Sequence, residues 1–455
     1  MATAAAPTNP VIRLATNRWF QLVMGIFAML AIANLQYAWT FFTTPLTKHY
    51  HVQLAVVQVA FSTFILAETW LVPVEGFLID KIGPRIIMCI GGVLVGLGWV
   101  GSGYFSPTIQ HLIFWYTLGG IGAGAVYGGT IGNAMKWFPD RRGLAIGLTA
   151  GAYGMGTALT VAPIAAMIKS SGYAYTFGFW GIIQGLVVFV AALFIVAPPK
   201  GWMPAGWVNK VGAVGSLVRQ TGREFHPLQM FKTHEFWVLY VMMTLMAFTG
   251  LVITAQVAPI AKFYHVDKTI VWFGLTALVL AVEVDRILNG LTRPFWGWIS
   301  DRIGRENAMF AAFSLQAVTI IILTQLTKNP VAFIILTGFA FFTWGEIFSL
   351  FPAAVGDLFG RKYATTNYGF LYTAKGTASI FSAPVAAYVT TNVRGGDWTL
   401  IFYIMAGCAA IAALMAIFWL KPVTRRAVEG ARRAAAGDVS PTPATAVKPE
   451  VAPAQ

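Results

Sequence analysis

Apolar residues along this chain gather into blocks of about 20 or more, and at 1.5 Å per residue a helix of that length crosses a hydrocarbon core of about 30 Å. Twelve blocks can be drawn, at 19–45, 54–79, 85–105, 109–137, 142–168, 173–197, 235–261, 270–298, 307–327, 331–356, 365–391 and 397–420. Each predicts a spanning helix, because a backbone in lipid must satisfy its polar groups within the segment. The fold class expected is an all-α membrane protein, with twelve transmembrane helices in two pseudo-symmetric six-helix bundles.

A polar stretch at 198–234, with Lys200, Lys210, Arg219, Arg223 and Lys232, divides the blocks six and six. The expected organisation is a tail at 1–18, a first bundle at 19–197, a linker at 198–234, a second bundle at 235–420 and a tail at 421–455. The last tail is rich in Ala, Pro, Thr and charge, which cannot bury a core, and is expected to be disordered.

Repetition supports the duplication. Pro45, Lys48, Tyr50, His51 and Val52 recur in the same order as Pro259, Lys262, Tyr264, His265 and Val266. Gly76, Asp80, Lys81, Gly83 and Arg85 recur as Gly297, Asp301, Arg302, Gly304 and Arg305, after the second block of each half. Trp137-Phe138-Pro139-Asp140 echoes Leu358-Phe359-Gly360 more loosely. Glycines allow a tight turn there, and Asp80, Arg85, Asp301 and Arg305 are expected to act in gating, as charges that pair in one conformation.

Composition agrees with the pattern. The 455 residues are 57% apolar and 11% charged, against about 25% charged for a soluble domain. The net charge of +14 comes from Lys and Arg in loops and tails, which orientation in a membrane explains without nucleic acid. Their distribution places both termini in the cytoplasm. No signal peptide is evident and the first helix is expected to be retained. The 2 cysteines, Cys89 and Cys408, lie in apolar blocks and predict no disulfide framework. No nucleophile elbow, phosphate loop or metal-ligating pattern stands out, so neither an enzyme nor a cofactor or metal is expected.

The informative residues are charges at membrane depth, which are costly and therefore paired or functional. Lys375 lies in the middle of the eleventh block and Arg293 late in the eighth, neither with an obvious local carboxylate. The eighth block also carries Glu283, Asp285 and Arg286. Arg286 can neutralise Glu283 at i, i+3, and Arg293 can snorkel. Asp285, Asn289 and Arg293 share one helix face, with Asp285 about 12 Å from Arg293 along the axis. An unpaired Arg and Lys in one cavity predict an anion site. Gln36, Tyr37 and Trp39, Gln58, Tyr127, Tyr153, Trp344 and Tyr372 lie at comparable depth, and the repeat sets Tyr153 opposite Lys375.

Asn17-Arg18-Trp19-Phe20, Gln36-Tyr37, Trp39-Thr40, Asn289 through Gly297, Trp344-Gly345 and Asn367 through Lys375 resemble the oxalate/formate antiporter family of the major facilitator superfamily, related to monocarboxylate transporters. The resemblance covers approximately 17–420. It implies that Arg293 and Lys375 bind the two carboxylates of oxalate, and that Gln36, Tyr37, Tyr127, Tyr153, Asn289, Trp344 and Tyr372 line an aromatic box. It also implies a monomeric carrier of small carboxylate anions in a bacterial inner membrane, with the lipid bilayer as its surround. Tyr372, Phe348 and Glu346 depart from the family pattern, where a Trp, a Tyr and a small residue are typical.

Two unpaired cations in one cavity repel when no anion is bound, which predicts obligatory exchange of oxalate for formate. The alternative is proton-coupled uptake of a monocarboxylate or small dicarboxylate, with Asp285 or Glu283 carrying the proton. A sensor built on a transporter fold is a third class, for which no signalling domain is visible.

Overall fold

The computed structural model describes residues 17–138, 142–199, 202, 204, 221–360 and 363–435. Among them the chain forms twelve helical rods. The first joins Arg18–Tyr37 to Trp39–Tyr50 through a bend at Ala38, and the second joins Leu54–Trp70 to Val72–Ile82 at Leu71. The third and fourth are Pro84–Tyr104 and Ile109–Trp137. The fifth begins as Arg142–Met155, loosens over 156–160 and resumes at Val161. Gly172, at φ 83° and ψ 165°, separates it from the sixth, which ends at Phe194. That backbone conformation suits glycine alone, so one residue turns a continuous apolar stretch into two antiparallel rods.

The second half repeats the plan. His234–Phe263, Ala277–Ile303 and Arg305–Leu326 are the seventh to ninth rods. The tenth is broken between Pro330–Phe342 and Ile347–Phe359. The eleventh starts as Ala364–Ile380 and passes through two π-helical turns to Val393, and the twelfth runs Thr399–Met415 and on to Leu420. By length and apolar composition alone, 8 helical stretches of the described residues qualify to cross a membrane. The fourth, eighth and eleventh rods are not among them, and these carry the glycines and the central polar groups. Their reduced apolarity comes from the faces turned to protein: the eighth rod buries Asp285, Arg286, Asn289 and Arg293 while exposing Ile287, Leu291, Phe295 and Trp298. The lipid face is supplied by exposed side chains such as Phe27, Ile86, Ile182, Leu186 and Phe418.

Two segments differ from the sequence expectation. Residues 270–276, read as the start of the eighth span, form a hairpin in which Ile270–Trp272 pairs with Leu275–Thr276. Phe273 and Gly274 both have positive φ, as a two-residue hairpin turn requires, and Thr276 then caps the helix at Val279. The tail expected to be disordered from 421 is helical over Lys421–Ala435, with Thr424, Val428 and Ala431 buried along one face. That face packs on the bundle because the helix continues directly from the twelfth rod. Residues 436–455 lie outside the described residues, as do Lys200, Lys210 and Arg219 of the linker. Its end is anchored to the second half, where Thr221 donates to the carbonyl of Asp357 and Phe225 to that of Phe359.

The halves meet along antiparallel crossings. On the second and eleventh rods the contacts step in order from Gln53 with Asn392, to Ser62 with Ser379, to Glu68 with Lys375, to Trp70 with Thr373. On the fifth and eighth rods, a Cβ on Gly154 would lie 2.8 Å from the carbonyl oxygen of Asn289, and one on Gly290 2.6 Å from Cβ of Met155. Small residues thus let the rods approach closely at the level of the buried charges.

Candidate anion site between the two halves

The rods that carry the central residues are interrupted close to them. Gln36 and Tyr37 precede the bend at Ala38, Glu68 precedes the step at Leu71, Tyr153 precedes the loosened turn at 156–160, and Trp344 and Glu346 lie within the break of the tenth rod. Discontinuous helices free backbone groups at the interruption and let side chains converge there.

Three cations, Arg286, Arg293 and Lys375, and three carboxylates, Glu68, Asp285 and Glu346, are buried at 0–1% exposure in this interface. Lys375 is not unpaired, contrary to the sequence reading. Its Nζ donates to Glu68 Oε2 at 2.8 Å, to Gln36 Oε1 at 2.7 Å and to the Tyr372 hydroxyl at 3.1 Å. The Tyr153 hydroxyl completes the cluster, 2.8 Å from both Gln36 Oε1 and Glu68 Oε1, with its one proton shared between these two acceptors. Tyr153 and Lys375 therefore meet across the halves, with Nζ 5.7 Å from the tyrosine ring. Glu68 is not among the residues the sequence reading singles out, although a carboxylate well inside an apolar block was the available signal.

Arg286 does not neutralise Glu283. It lies 3.9 Å from Asp285 and is held between the rings of Tyr37 and Phe341, at 4.4 and 4.2 Å from their centroids. Flat aromatic faces on both sides suit a desolvated guanidinium. Glu283 is only partly buried, which leaves Asp285 as the central member of that pair.

Arg293 is the least satisfied of the cations. Its Nη1 donates to the carbonyl of Ala150 on the fifth rod, while Nε and Nη2 find no hydrogen-bond partner among the described residues. The guanidinium is fixed at one corner and presents an edge of two donors. Such an edge fits one carboxylate with two parallel hydrogen bonds. Beside it Asn289 donates to the carbonyl of Gly154 and leaves its Oδ1 without a partner. Glu346 carries two unpartnered carboxylate oxygens within electrostatic reach of Arg293.

Aromatic side chains wall this space. Tyr127 and Tyr372 stack at 5.1 Å, and Tyr37 packs on Tyr153 at 5.3 Å. The ring of Phe348 lies 4.7 Å from the Arg293 guanidinium and 5.6 Å from Lys375 Nζ, so a single apolar side chain contacts both cations. Trp344 is a layer further out, committed through its indole to the Met246 carbonyl and touching the site through Phe348.

At the loop motifs, Arg305 binds Asp301 at 2.7 Å and Asp357 at 3.1 Å, and it also bonds Ser300. In the first half Arg85 donates to the carbonyl of Ile195, and the side chain of Asp80 lies outside the described residues.

The family model for the Major Facilitator Superfamily matches residues 24–284 and 286–451. Among curated proteins, the oxalate:formate antiporter of Oxalobacter formigenes is 36% identical over 88% of this chain and 91% of its own length. Apicoplast pyruvate carrier 1 of Toxoplasma gondii is 23% identical over 80% of this chain and 76% of its own, and monocarboxylate transporter 14 of mouse 22% over 91% and 93%. Twelve rods in two antiparallel-crossed halves and full-length likeness to carriers agree, and the chain is a multi-pass membrane transporter, not an enzyme, that belongs to the major facilitator superfamily.

Proposed function

We propose that this protein is a secondary carrier of small carboxylate anions that exchanges oxalate for formate by alternating access. The observation that carries the reading is the open two-donor edge of Arg293, buried between the halves opposite the Lys375 cluster. One carboxylate of a flat dianion fits the Arg293 edge, the other reaches toward Lys375, and Tyr127, Tyr372, Tyr37, Tyr153 and Phe348 supply flat walls. The bidentate arginine sets orientation, and the lysine contributes a mobile point charge. Asn289, one turn before Arg293, ties the eighth rod to the fifth beside this edge by donating to the Gly154 carbonyl.

Transport follows from the antiparallel crossings. The two halves rock about the glycine contacts, and the bound anion, held by Arg293 and Lys375 of the second half, packs against Tyr37, Tyr127 and Tyr153 of the first. Exchange does not rest on repulsion between two bare cations, since Lys375 is neutralised by Glu68; it rests on the unpaired charge of Arg293, which a carboxylate meets. The protein sits in the bacterial inner membrane with both termini in the cytoplasm, so the loop motifs lie on the cytoplasmic face.

Uptake of labelled oxalate into proteoliposomes preloaded with oxalate, formate or buffer tests this. Uptake that needs an internal carboxylate and is abolished in Arg293→Ala and Lys375→Ala is the expected result. Absence of oxalate uptake, with lactate or formate uptake driven by a pH gradient, would replace it with proton-coupled monocarboxylate transport.

A further inference from the structure

All three donors of the Lys375 ammonium are occupied within the protein, by Glu68, Gln36 and Tyr372. A substrate carboxylate therefore reaches Lys375 only by displacing one of them. Displacing Gln36 or Tyr372 alone would place two carboxylates on one enclosed ammonium, an arrangement that like-charge repulsion opposes at low dielectric. Displacing Glu68 as an anion would leave a fully buried carboxylate without its countercharge, which is worse. Adding a proton to Glu68 removes both costs.

We propose that Glu68 couples this carrier to protons: a substrate carboxylate and the Glu68 carboxylate compete for Lys375, and the substrate wins when Glu68 takes up a proton. This rests on the reading of Arg293 and Lys375 as the anion site. In the step, one proton from water binds a Glu68 carboxylate oxygen, the Glu68 to Lys375 ion pair opens, and the substrate carboxylate forms the new pair with an ammonium that stays charged throughout. A monoanion such as formate then adds no net charge to the centre. Oxalate adds one negative charge, which the Arg293 edge meets.

The surroundings fit a group that changes charge. Facing Glu68 are Lys375, Tyr372 and Tyr368 of the eleventh rod, Tyr153 of the fifth, Tyr37 of the first and Tyr127 of the fourth, with Glu75 on its own rod. The phenols are neutral across the ordinary pH range, so the neighbouring rods offer Glu68 one cationic partner. Tyr153 donates to the other Glu68 oxygen and can hold the carboxyl group in either protonation state.

The test uses purified full-length protein in weakly buffered detergent solution with a pH-indicating dye, to which formate or, in a separate arm, oxalate is added. The expected result is uptake of about one proton per anion bound, with affinity that falls as the pH rises. Glu68→Gln is expected to bind with neither proton uptake nor that pH dependence. Binding to the wild-type protein without proton uptake overturns the proposal alone, and needs no variant to fold. Proton uptake that persists in Glu68→Gln overturns the assignment to this residue. Failure of both anions to bind the wild-type protein overturns the anion-site reading, and this inference with it.

Discussion

Glu68 and Lys375 stand 307 positions apart in the chain and 2.8 Å apart in space, one on each half of the transporter, with both side chains fully buried. The pair belongs to the antiparallel crossing of the second and eleventh rods, flanked by Ser62 with Ser379 on one side and Trp70 with Thr373 on the other. It is therefore an ion pair between the two halves, the charged member of a series of bonds that cross between them.

Breaking the pair from one side should cost more than removing it. Lys375→Met leaves the Glu68 carboxylate buried without a countercharge and should lower stability by about 3–5 kcal/mol, while the double variant Glu68→Met with Lys375→Met should recover most of the loss. Thermal unfolding of the purified variants measures this. A double variant as unstable as the sum of the singles would show that the pair is not the interaction that matters.

Arg293→Lys should not rescue transport. A lysine at this position cannot bond the Ala150 carbonyl at one corner and still present a planar two-donor edge to a carboxylate. Initial rates of oxalate exchange should fall by at least about tenfold, the loss expected for 1.4 kcal/mol of lost interaction with the transported anion.

The crossing of the fifth and eighth rods makes a steric prediction. A Cβ at Gly290 would fall 2.6 Å from Cβ of Met155 and 3.1 Å from the carbonyl oxygen of Gly151, whereas one at Gly147 meets Pro294 at an ordinary 3.9 Å. Gly290→Ala should destabilise the protein by about 1–3 kcal/mol and slow exchange, because the rods are forced apart. Gly147→Ala should unfold and transport like the wild-type protein.

At the loop motif, Arg305 holds two carboxylates of unequal exposure. Asp301 is 64% exposed and Asp357 is 11% exposed. Asp301→Asn should change stability by less than about 1 kcal/mol, as solvent-screened pairs do. Asp357→Asn weakens a sheltered, charge-assisted bond and should cost about 1.5–3 kcal/mol. Equal effects in denaturation experiments would mean that burial does not rank the two.

Much of this was legible in the sequence, residue by residue. Lys375 announced itself as the one charge in mid-block of its stretch, and Arg293 as a cation late in an apolar block whose other charges, Glu283, Asp285 and Arg286, lie together two turns earlier. Arg286 was misassigned, since helical spacing offered Glu283 three residues away while the fold places the guanidinium between Tyr37 and Phe341. The hairpin at 270–276 was missed because its Ile, Val, Trp and Phe suit a span as well as a strand, and a single glycine made the turn.

The lengths of the apolar blocks determined, by themselves, the number of rods and the class of molecule, because each rod satisfies its own backbone and needs no partner to be recognised, and the repeated motifs determined the duplication. Which charges neutralise which was decided only by the tertiary structure. Lys375 finds its carboxylate on the other half, Arg293 its anchoring carbonyl at Ala150, and Arg286 its aromatic walls on the first and tenth rods. Local spacing carries no trace of such pairings, because they depend on the register in which two distant helices cross.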